Sequence, residues 1–328
     1  MTNKDIVVSV VMPVYSEQKY IGNCIDSLLK QDYPLDKMEW IFVDGVSDDG
    51  TIVILEEYAA KYPGLIYMFS NPKRFVPHAM NIGIHHAQGK YIIRMDAHAE
   101  YAPDYISKCV YYLDTTDADN VGGVAETKAK GFIGNAIAKM LSSRFGVGDS
   151  QFRIHGHNGY VDTVPFGAFR CSVFEKLGLY DERLVRGEDN ELNYRIRKNG
   201  GKIYLSGDIK FTYYCRDTIC GIIKMAKMNG MWNVITMHYC PGSMGIRHFV
   251  PLVFVLSLFF LMLLGIWWKL FWWLFLAEML LYFFLSVGFA VRIASGVCEF
   301  LVLPLLFLIF HVSYGFGSLV GMFWLISK

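Results

Sequence analysis

The 328-residue sequence has no excess of basic charge: 31 Lys/Arg face 30 Asp/Glu, a formal net charge of +1. Nucleic-acid binders rely on basic surface to neutralise phosphates, so that class is excluded. Charge of either sign is scarce. At 19% charged and 53% hydrophobic residues, the chain lies outside the composition of a disordered tail and is greasier than an average soluble domain. Its seven cysteines (Cys24, Cys109, Cys171, Cys215, Cys220, Cys240, Cys298) form no C-x-x-C pair and are odd in number, the pattern of reduced thiols in a cytoplasmic domain. Neither a Walker A sequence nor a G-x-G-x-x-G follows the first apolar run. The two common backbone cradles for phosphate are therefore missing, and a bound nucleotide would need side chains and a metal ion instead. No internal repeat or low-complexity tract is present.

What is present divides the chain in two. Residues 249–328 hold three of the 31 basic residues (Lys269, Arg292, Lys328) and two of the 30 acidic ones (Glu278, Glu299). Residues 1–248 are therefore balanced at 28 of each sign, enough chain for an ordinary soluble core. Beyond them, three runs reach the roughly 20 residues that cross a bilayer, at about 249–268, 270–291 and 300–326. Lys269 alone separates the first two, predicting a tight helical hairpin, and Trp267, Trp268, Trp272 and Trp273 crowd its turn as an interfacial belt would. Glu278 is either a functional intramembrane carboxylate or an interfacial one. Ile6–Val14, preceded by Lys4 and Asp5 and containing Pro13, suits a buried strand better than a leader segment. The soluble part is accordingly expected in the cytoplasm. Three domains are predicted: a catalytic one over 1–215, an amphipathic interfacial helix over 216–248, and a membrane domain over 249–328.

The soluble part alternates strand and helix. Strands are predicted at Ile6–Val14, Glu39–Val43, Leu65–Phe69 and Tyr91–Met95, and helices at Gln18–Gln31, Thr51–Lys61 and Val76–Ala87. This is the βαβ rhythm of an α/β fold with a mostly parallel sheet. Further on, 161–170 reads as strand and turn, and Leu184–Lys198 as a charged helix. In such sheets ligands gather at the carboxyl ends of the strands. Polar residues gather there too: Ser16-Glu17, Asp44 to Thr51, and Asp96-Ala97-His98. A carboxylate and an imidazole two residues apart can share one divalent ion, with His favouring Mn²⁺ over Mg²⁺. Asp189, preceded by Glu188 at a helix start, is a candidate general base tuned by Glu188 and Arg186. The plainer alternatives are solvated turn residues for the first and dipole-complementing acids for the second.

Val10-Val-Met-Pro-Val-Tyr-Ser-Glu17, Val43-Asp-Gly-Val-Ser-Asp-Asp-Gly-Thr51, Asn81-Ile-Gly83, Asp96-Ala-His98 and Glu188-Asp189 occur in order. Together they resemble the family 2 inverting glycosyltransferases of the GT-A fold. With MDAHAEY, TVPFGAF and the C-terminal runs, they look most like the membrane-bound subgroup that builds bacterial exopolysaccharides such as succinoglycan. The resemblance implies that Pro13, Tyr15 and Glu17 frame the base and ribose of a nucleotide, that Asp44 pairs with the base, and that Asp49 and Asn81 belong to the same donor site. It implies that Asp96 and His98 hold Mn²⁺ or Mg²⁺ on the diphosphate of a sugar nucleotide, a UDP-sugar by expectation. Asp189 would deprotonate the acceptor hydroxyl, whose attack from the face opposite the diphosphate inverts the anomeric centre. Phe166, Gly167, Ala168 and Glu188 would lie near the donor sugar or acceptor. Arg216, Lys224, Lys227, Arg247 and His248 would meet a lipid-linked pyrophosphate or simply anchor the chain at the headgroups of membrane lipids. Trp232 would stack on an acceptor sugar or sit in the interface.

The chain departs from the family pattern at Ser16 for Asn, at Asp44-Gly45-Val46 for Asp-Asp-Gly, and at His98 for the second Asp of D-x-D. The Q-x-x-R-W of processive synthases is reduced to Met228-Asn-Gly-Met-Trp232. The expectation is transfer of one sugar to a lipid-linked saccharide. Transfer to a polyprenyl phosphate, as in dolichol-phosphate-mannose synthases, processive synthesis, and a non-catalytic sugar-nucleotide sensor are the alternatives. His155 and His157 offer a further metal ligand or are solvated loop residues.

Overall fold

The computed structural model describes residues 5–154 and 158–327. The chain forms two compact units. The first comprises residues 1–126 and 155–213, the second 127–154 and 214–328.

The first unit is built on a nine-stranded sheet. Its elements run β1 (Val8–Val14), α1 (Ile21–Leu29), β2 (Met38–Asp44), α2 (Thr51–Lys61), β3 (Ile66–Ser70), α3 (Val76–His86), β4 (Tyr91–Arg94), β5 (Ala99–Tyr101) and α4 (Tyr105–Thr115). After β6 (Asn120–Lys128) the chain makes α5 (Gly131–Leu141) and α6 (Arg144–Val147) in the second unit. It returns with β7 (Gly159–Tyr160), β8 (Ala168–Arg170), α7 (Cys171–Leu177), α8 (Glu188–Lys198) and β9 (Ile203–Tyr214). The sheet order is β3-β2-β1-β4-β8-β6-β9-β5, with β7 also on β9. β1 pairs in parallel with β2 and β4, and β2 with β3. β8 is antiparallel to both β4 and β6.

The parallel half follows from its residues. Every residue of β2 is buried, as both faces of a parallel sheet carry helices and its strands read as continuous apolar runs. Pro13 lies in β1 beyond Val11, the last residue paired with β4, so its missing N–H costs no bond on that side. Successive strands run outward from β1 through β2 to β3, and β4 then returns to the other side of β1. That reversal makes the β1–β4 edge the switch point, where the loops leave in opposite directions and open a crevice.

Of the antiparallel half, the sequence pattern indicates only the strand within 161–170, seen as β8; β6 and β9 are not evident from it. β6 contains Gly122-Gly123, poor strand formers in isolation. In the fold, a Cβ on Gly122 would strike Val164 and one on Gly123 the carbonyl of Ile209, so bare backbone is needed for close packing.

In the second unit α9 (Ile219–Tyr239), α10 (Val250–Gly265), α11 (Lys269–Ile293) and α12 (Val297–Ile326) pack with α5 and α6. Two of these, α11 and α12, are long and apolar enough to cross a membrane. The first predicted span is interrupted. α10 stops at Gly265 after 16 residues, short of the bilayer core at 1.5 Å per residue, because Gly265 packs under the Trp272 ring and 266–268 make the turn. Trp267, Trp268, Trp272 and Trp273 are exposed at this hairpin end. Glu278 of α11 accepts a hydrogen bond from Ser257 of α10 (2.6 Å).

α9 is not a lone surface helix. A Cβ on Gly230 would strike the Tyr314 carbonyl, and Cβ atoms on Gly317 and Gly321 would strike the carbonyls of Lys227 and Met231. Such small-residue contacts let two helix backbones touch, and Asn233 Nδ2 donates to the Tyr314 hydroxyl between them. Residues 127–154 also belong here: Phe145 stacks among Tyr282, Phe289, Phe307 and His311, and Lys139 pairs with Glu299 and Ser295. The division thus differs from the predicted one, which kept 127–154 in the catalytic domain.

Candidate functional site

The carboxyl ends of β1, β2 and β4 lie side by side, with Val14 opposite Asp44 and Val11 opposite Arg94. Asp44, at the end of β2, is buried; its two oxygens accept from the backbone N–H (2.9 Å) and hydroxyl (2.6 Å) of Ser47. The Ser47 hydroxyl in turn accepts the Ser16 N–H at 2.8 Å. Ser16 (φ 53°) and Val46 (φ 61°) both occupy the left-handed region, a conformation that non-glycine residues hold only where surroundings impose it. Beside them Tyr15 is exposed, and the Arg74 guanidinium stands over its ring at 5.3 Å.

Asp49 has a local task. It accepts the Gln18 N–H at 3.2 Å and the Thr51 N–H at 3.0 Å, and the Thr51 hydroxyl holds it below the usual carboxylate range. Asn81 is likewise spent on the fold. Its amide bonds both ways with the Tyr180 backbone (3.0 and 2.9 Å) and donates to Glu182 (3.1 Å), tying α3 to the 178–182 loop.

The switch point holds the predicted metal pair. Asp96 and His98 follow β4, and Glu17 follows β1; across the crevice His98 Nδ1 lies 3.1 Å from Glu17 Oε1. Metal-bound histidines commonly carry a carboxylate on the second ring nitrogen, which fixes ring orientation. Among the described residues no donor lies at hydrogen-bond distance from the Asp96 carboxylate, and Arg94 Nη2 stands 3.7 Å from it. Among the described residues no cluster of three or more His, Cys, Asp or Glu forms a complete metal cage. Asp96 and His98 therefore fit a half-site that a ligand's own oxygens would complete. His155 and His157 lie outside the described residues.

Asp189 lies in the first turn of α8, which starts after Gly187 at φ 82°. The side chain that joins it to the metal pair was not predicted. Arg94, buried at the end of β4, donates from Nη1 to Asp189 Oδ1 (2.6 Å) and Glu188 Oε1 (3.0 Å), while its Nη2 faces Asp96. Burial opposes the guanidinium's charge, and Asp189, Asp96 and Glu188 more than restore it. Burial also raises Asp189, Arg94 pulls it back, and Glu188 and Asp96 raise it again, leaving it at about 7. A carboxylate of that basicity, with 24% of its side chain exposed, is suited to taking a proton near neutral pH. The signal for Arg94 was available in the sequence: a lone cation inside the apolar run Tyr91–Met95, two residues before Asp96.

The remaining predicted residues fall in two places. Phe166, Gly167 and Ala168 are buried behind the site. The Phe166 ring lies under Arg94 (5.9 Å), Gly167 accepts the Arg94 N–H (3.0 Å), and Ala168 is a fully buried β8 residue. They support Arg94; Ala168 has no surface to offer a sugar. Arg216, exposed before α9, and Trp232, half-buried within α9, belong to the second unit.

The comparisons identify the family. The profile described as Glycosyl transferase family 2 matches residues 9–178. A Methanococcus voltae enzyme, dolichyl N-acetyl-alpha-D-glucosaminyl phosphate 3-beta-D-2,3-diacetamido-2,3-dideoxy-beta-D-glucuronosyltransferase, is 26% identical over 320 residues, covering 94% of this chain and 95% of that protein. A succinoglycan biosynthesis protein of Rhizobium meliloti is 31% identical over 209 residues, 63% of each chain. Among solved structures, a Pyrobaculum calidifontis mannosyltransferase in complex with GDP-Man and Mn²⁺ superposes with a TM-score of 0.60 at 17% identity, covering 97% of this chain and 87% of that one. Profile match, sheet topology and strand-end carboxylates converge: the chain belongs to glycosyl transferase family 2 and has its GT-A fold.

Proposed function

We propose that this protein is a membrane-bound, metal-dependent, inverting glycosyltransferase that moves one sugar from a nucleotide-diphosphate donor to a lipid-linked saccharide in cell-surface glycan synthesis. One observation carries it: a single buried guanidinium stands 3.7 Å from Asp96 and 2.6 Å from Asp189, so a metal half-site and a carboxylate of raised basicity share one crevice. Asp44, Tyr15 and Arg74 would receive the nucleoside. Asp96 and His98 would hold Mn²⁺ or Mg²⁺, which when bound stabilises the diphosphate leaving group. Asp189 takes the acceptor's proton as its oxygen attacks the face opposite the diphosphate, and that geometry inverts the anomeric carbon.

The relatives named for dolichyl-phosphate-linked and succinoglycan chemistry support a lipid-linked acceptor. A basic Asp189 favours a saccharide hydroxyl over a polyprenyl phosphate, which already carries its charge. For the membrane part, the reading is three spans: α11, α12 and, as a shorter third, the 16-residue α10. Seven unbridged cysteines support a catalytic unit in the reducing cytoplasm, and a UDP-sugar is the proposed donor. The test incubates the purified full chain with Mn²⁺, a panel of UDP- and GDP-sugars, and polyprenyl-diphosphate saccharides or polyprenyl phosphate. Mass analysis should show a single added sugar on the diphosphate-linked saccharide; extension by many sugars, or exclusive transfer to the monophosphate, would reject the reading.

A further inference from the structure

We infer that Arg94 is the positioning residue for proton transfer: it captures Oδ1 of Asp189 and so dedicates Oδ2 to the acceptor hydroxyl. The inference rests on the proposed role of Asp189 as base and goes beyond it by naming the oxygen and the group that selects it.

A free carboxylate turns about its last bond and offers either oxygen. Here one is taken. Arg94 Nη1 donates to Oδ1 at 2.6 Å, a short charge-assisted bond. Oδ2 has no hydrogen-bond partner among the described residues, and the side chain keeps 24% of its surface exposed. The guanidinium is itself held on several sides. Its Nη1 also donates to Glu188 Oε1 at 3.0 Å, its own backbone N–H is bonded to Gly167 O at 3.0 Å, and its plane meets the Phe166 ring at 5.9 Å. Phe166 is kept in a left-handed conformation at φ 47°, with its carbonyl accepting from the Tyr105 hydroxyl at 3.3 Å.

The helix that carries Asp189 is fixed separately. One turn on, Asn193 accepts from Asn120 Nδ2 of β6 at 2.7 Å and donates to the Thr163 hydroxyl (2.8 Å) and the Val164 carbonyl (3.2 Å). Backbone and side chain of the base are thus located by different elements, as a precise proton acceptor requires. In the step itself the acceptor O–H bond breaks and its proton goes to Oδ2. The acceptor oxygen bonds to the anomeric carbon, and the carbon–oxygen bond to the diphosphate breaks with its electron pair leaving on the diphosphate. Oδ1 keeps its bond to Arg94 throughout.

The experiment uses the full chain in detergent with Arg94→Gln, Arg94→Lys and Asp189→Asn, measuring kcat, donor KM, UDP and GDP binding with Mn²⁺ by calorimetry, and thermal unfolding. Arg94→Gln should lower kcat about 10²-fold, the lower range of a general base's contribution, while KM and nucleotide binding stay within about threefold of wild type. Arg94→Lys, which keeps the charge but not the fork, should recover part of that loss. It also serves as the readout if Arg94→Gln does not fold. A fall in nucleotide binding that parallels kcat in Arg94→Lys, or wild-type kcat in both Arg94 variants beside an inactive Asp189→Asn, would overturn the inference alone. Full turnover by Asp189→Asn would instead overturn the base assignment on which it rests.

Discussion

The two halves of the sheet divide the labour. The parallel half, β3-β2-β1-β4, ends in loops whose polar groups are already preset: Ser47 on Asp44, Glu17 on His98, Thr51 on Asp49. The antiparallel half contributes β8 and β6, together with the strand-to-helix segment that starts α8, and its polar groups serve to fix one carboxylate. In the proposed mechanism the first half holds a charged ligand and the second places a base. Arg94 is the only one of these side chains with its backbone on the first half and its ion pairs on α8. A substitution on the parallel side should therefore register in binding, and one on the antiparallel side in turnover.

That comparison can be broken, most severely at Asp189. Asp189→Asn should cut transfer by about 10²–10⁴-fold while calorimetric binding of UDP or GDP with Mn²⁺ is retained; loss of both together would erase the division. On the parallel side, Glu17→Gln should weaken Mn²⁺ binding, read by electron paramagnetic resonance, by about 10-fold, as removal of a carboxylate behind a ligating histidine does. His98→Ala should weaken it further. Unchanged Mn²⁺ affinity in both would detach this pair from the metal.

The pH profile follows from Asp189. Its folded-state value, raised to about 7, means that the carboxylate is protonated and inactive as a base below that point. The acid limb of kcat/KM should accordingly bend near pH 7, not near 4. Arg94→Gln removes the cation that lowers Asp189, so in that variant the bend should move to higher pH. The smallest effect concerns stability. Gly122→Val forces a side chain into Val164 and should cost about 1–3 kcal/mol, seen in the unfolding temperature with KM unchanged.

The parallel half is legible because β2 and β4 are fully buried runs and β1 nearly so, and because Thr51–Lys61 and Val76–His86 carry clear helical boundaries. Asp96, His98 and Asp189 stand out by their place at a strand end and a helix start, and their proposed roles come from the resemblance. Arg94 is hidden in the sequence because an arginine beside apolar residues looks like strand punctuation until the fold brings its partners, almost a hundred residues on, to it. β9 was overlooked although Ile203, Leu205, Ile209 and Phe211 alternate onto the buried face; a glycine and two charged residues between them mask the period. Asn81 and Asp49, read as ligand contacts, are occupied by tertiary bonds that no local pattern encodes. The extra length assigned to the first apolar run failed for a similar reason, since only packing on Trp272 reveals where α10 must turn.

The discontinuity of the second unit has a practical consequence. The polypeptide crosses between units three times, after residues 126, 154 and 213, and the 127–154 excursion leaves Phe145 and Lys139 seated on α11 and α12. Ending the chain at residue 215 would remove the hydrophobic partner of that excursion and leave its apolar helices uncovered. A soluble version should replace 127–154 with a short polar linker as well as omit the tail, treating anchor and catalyst as interleaved along the gene.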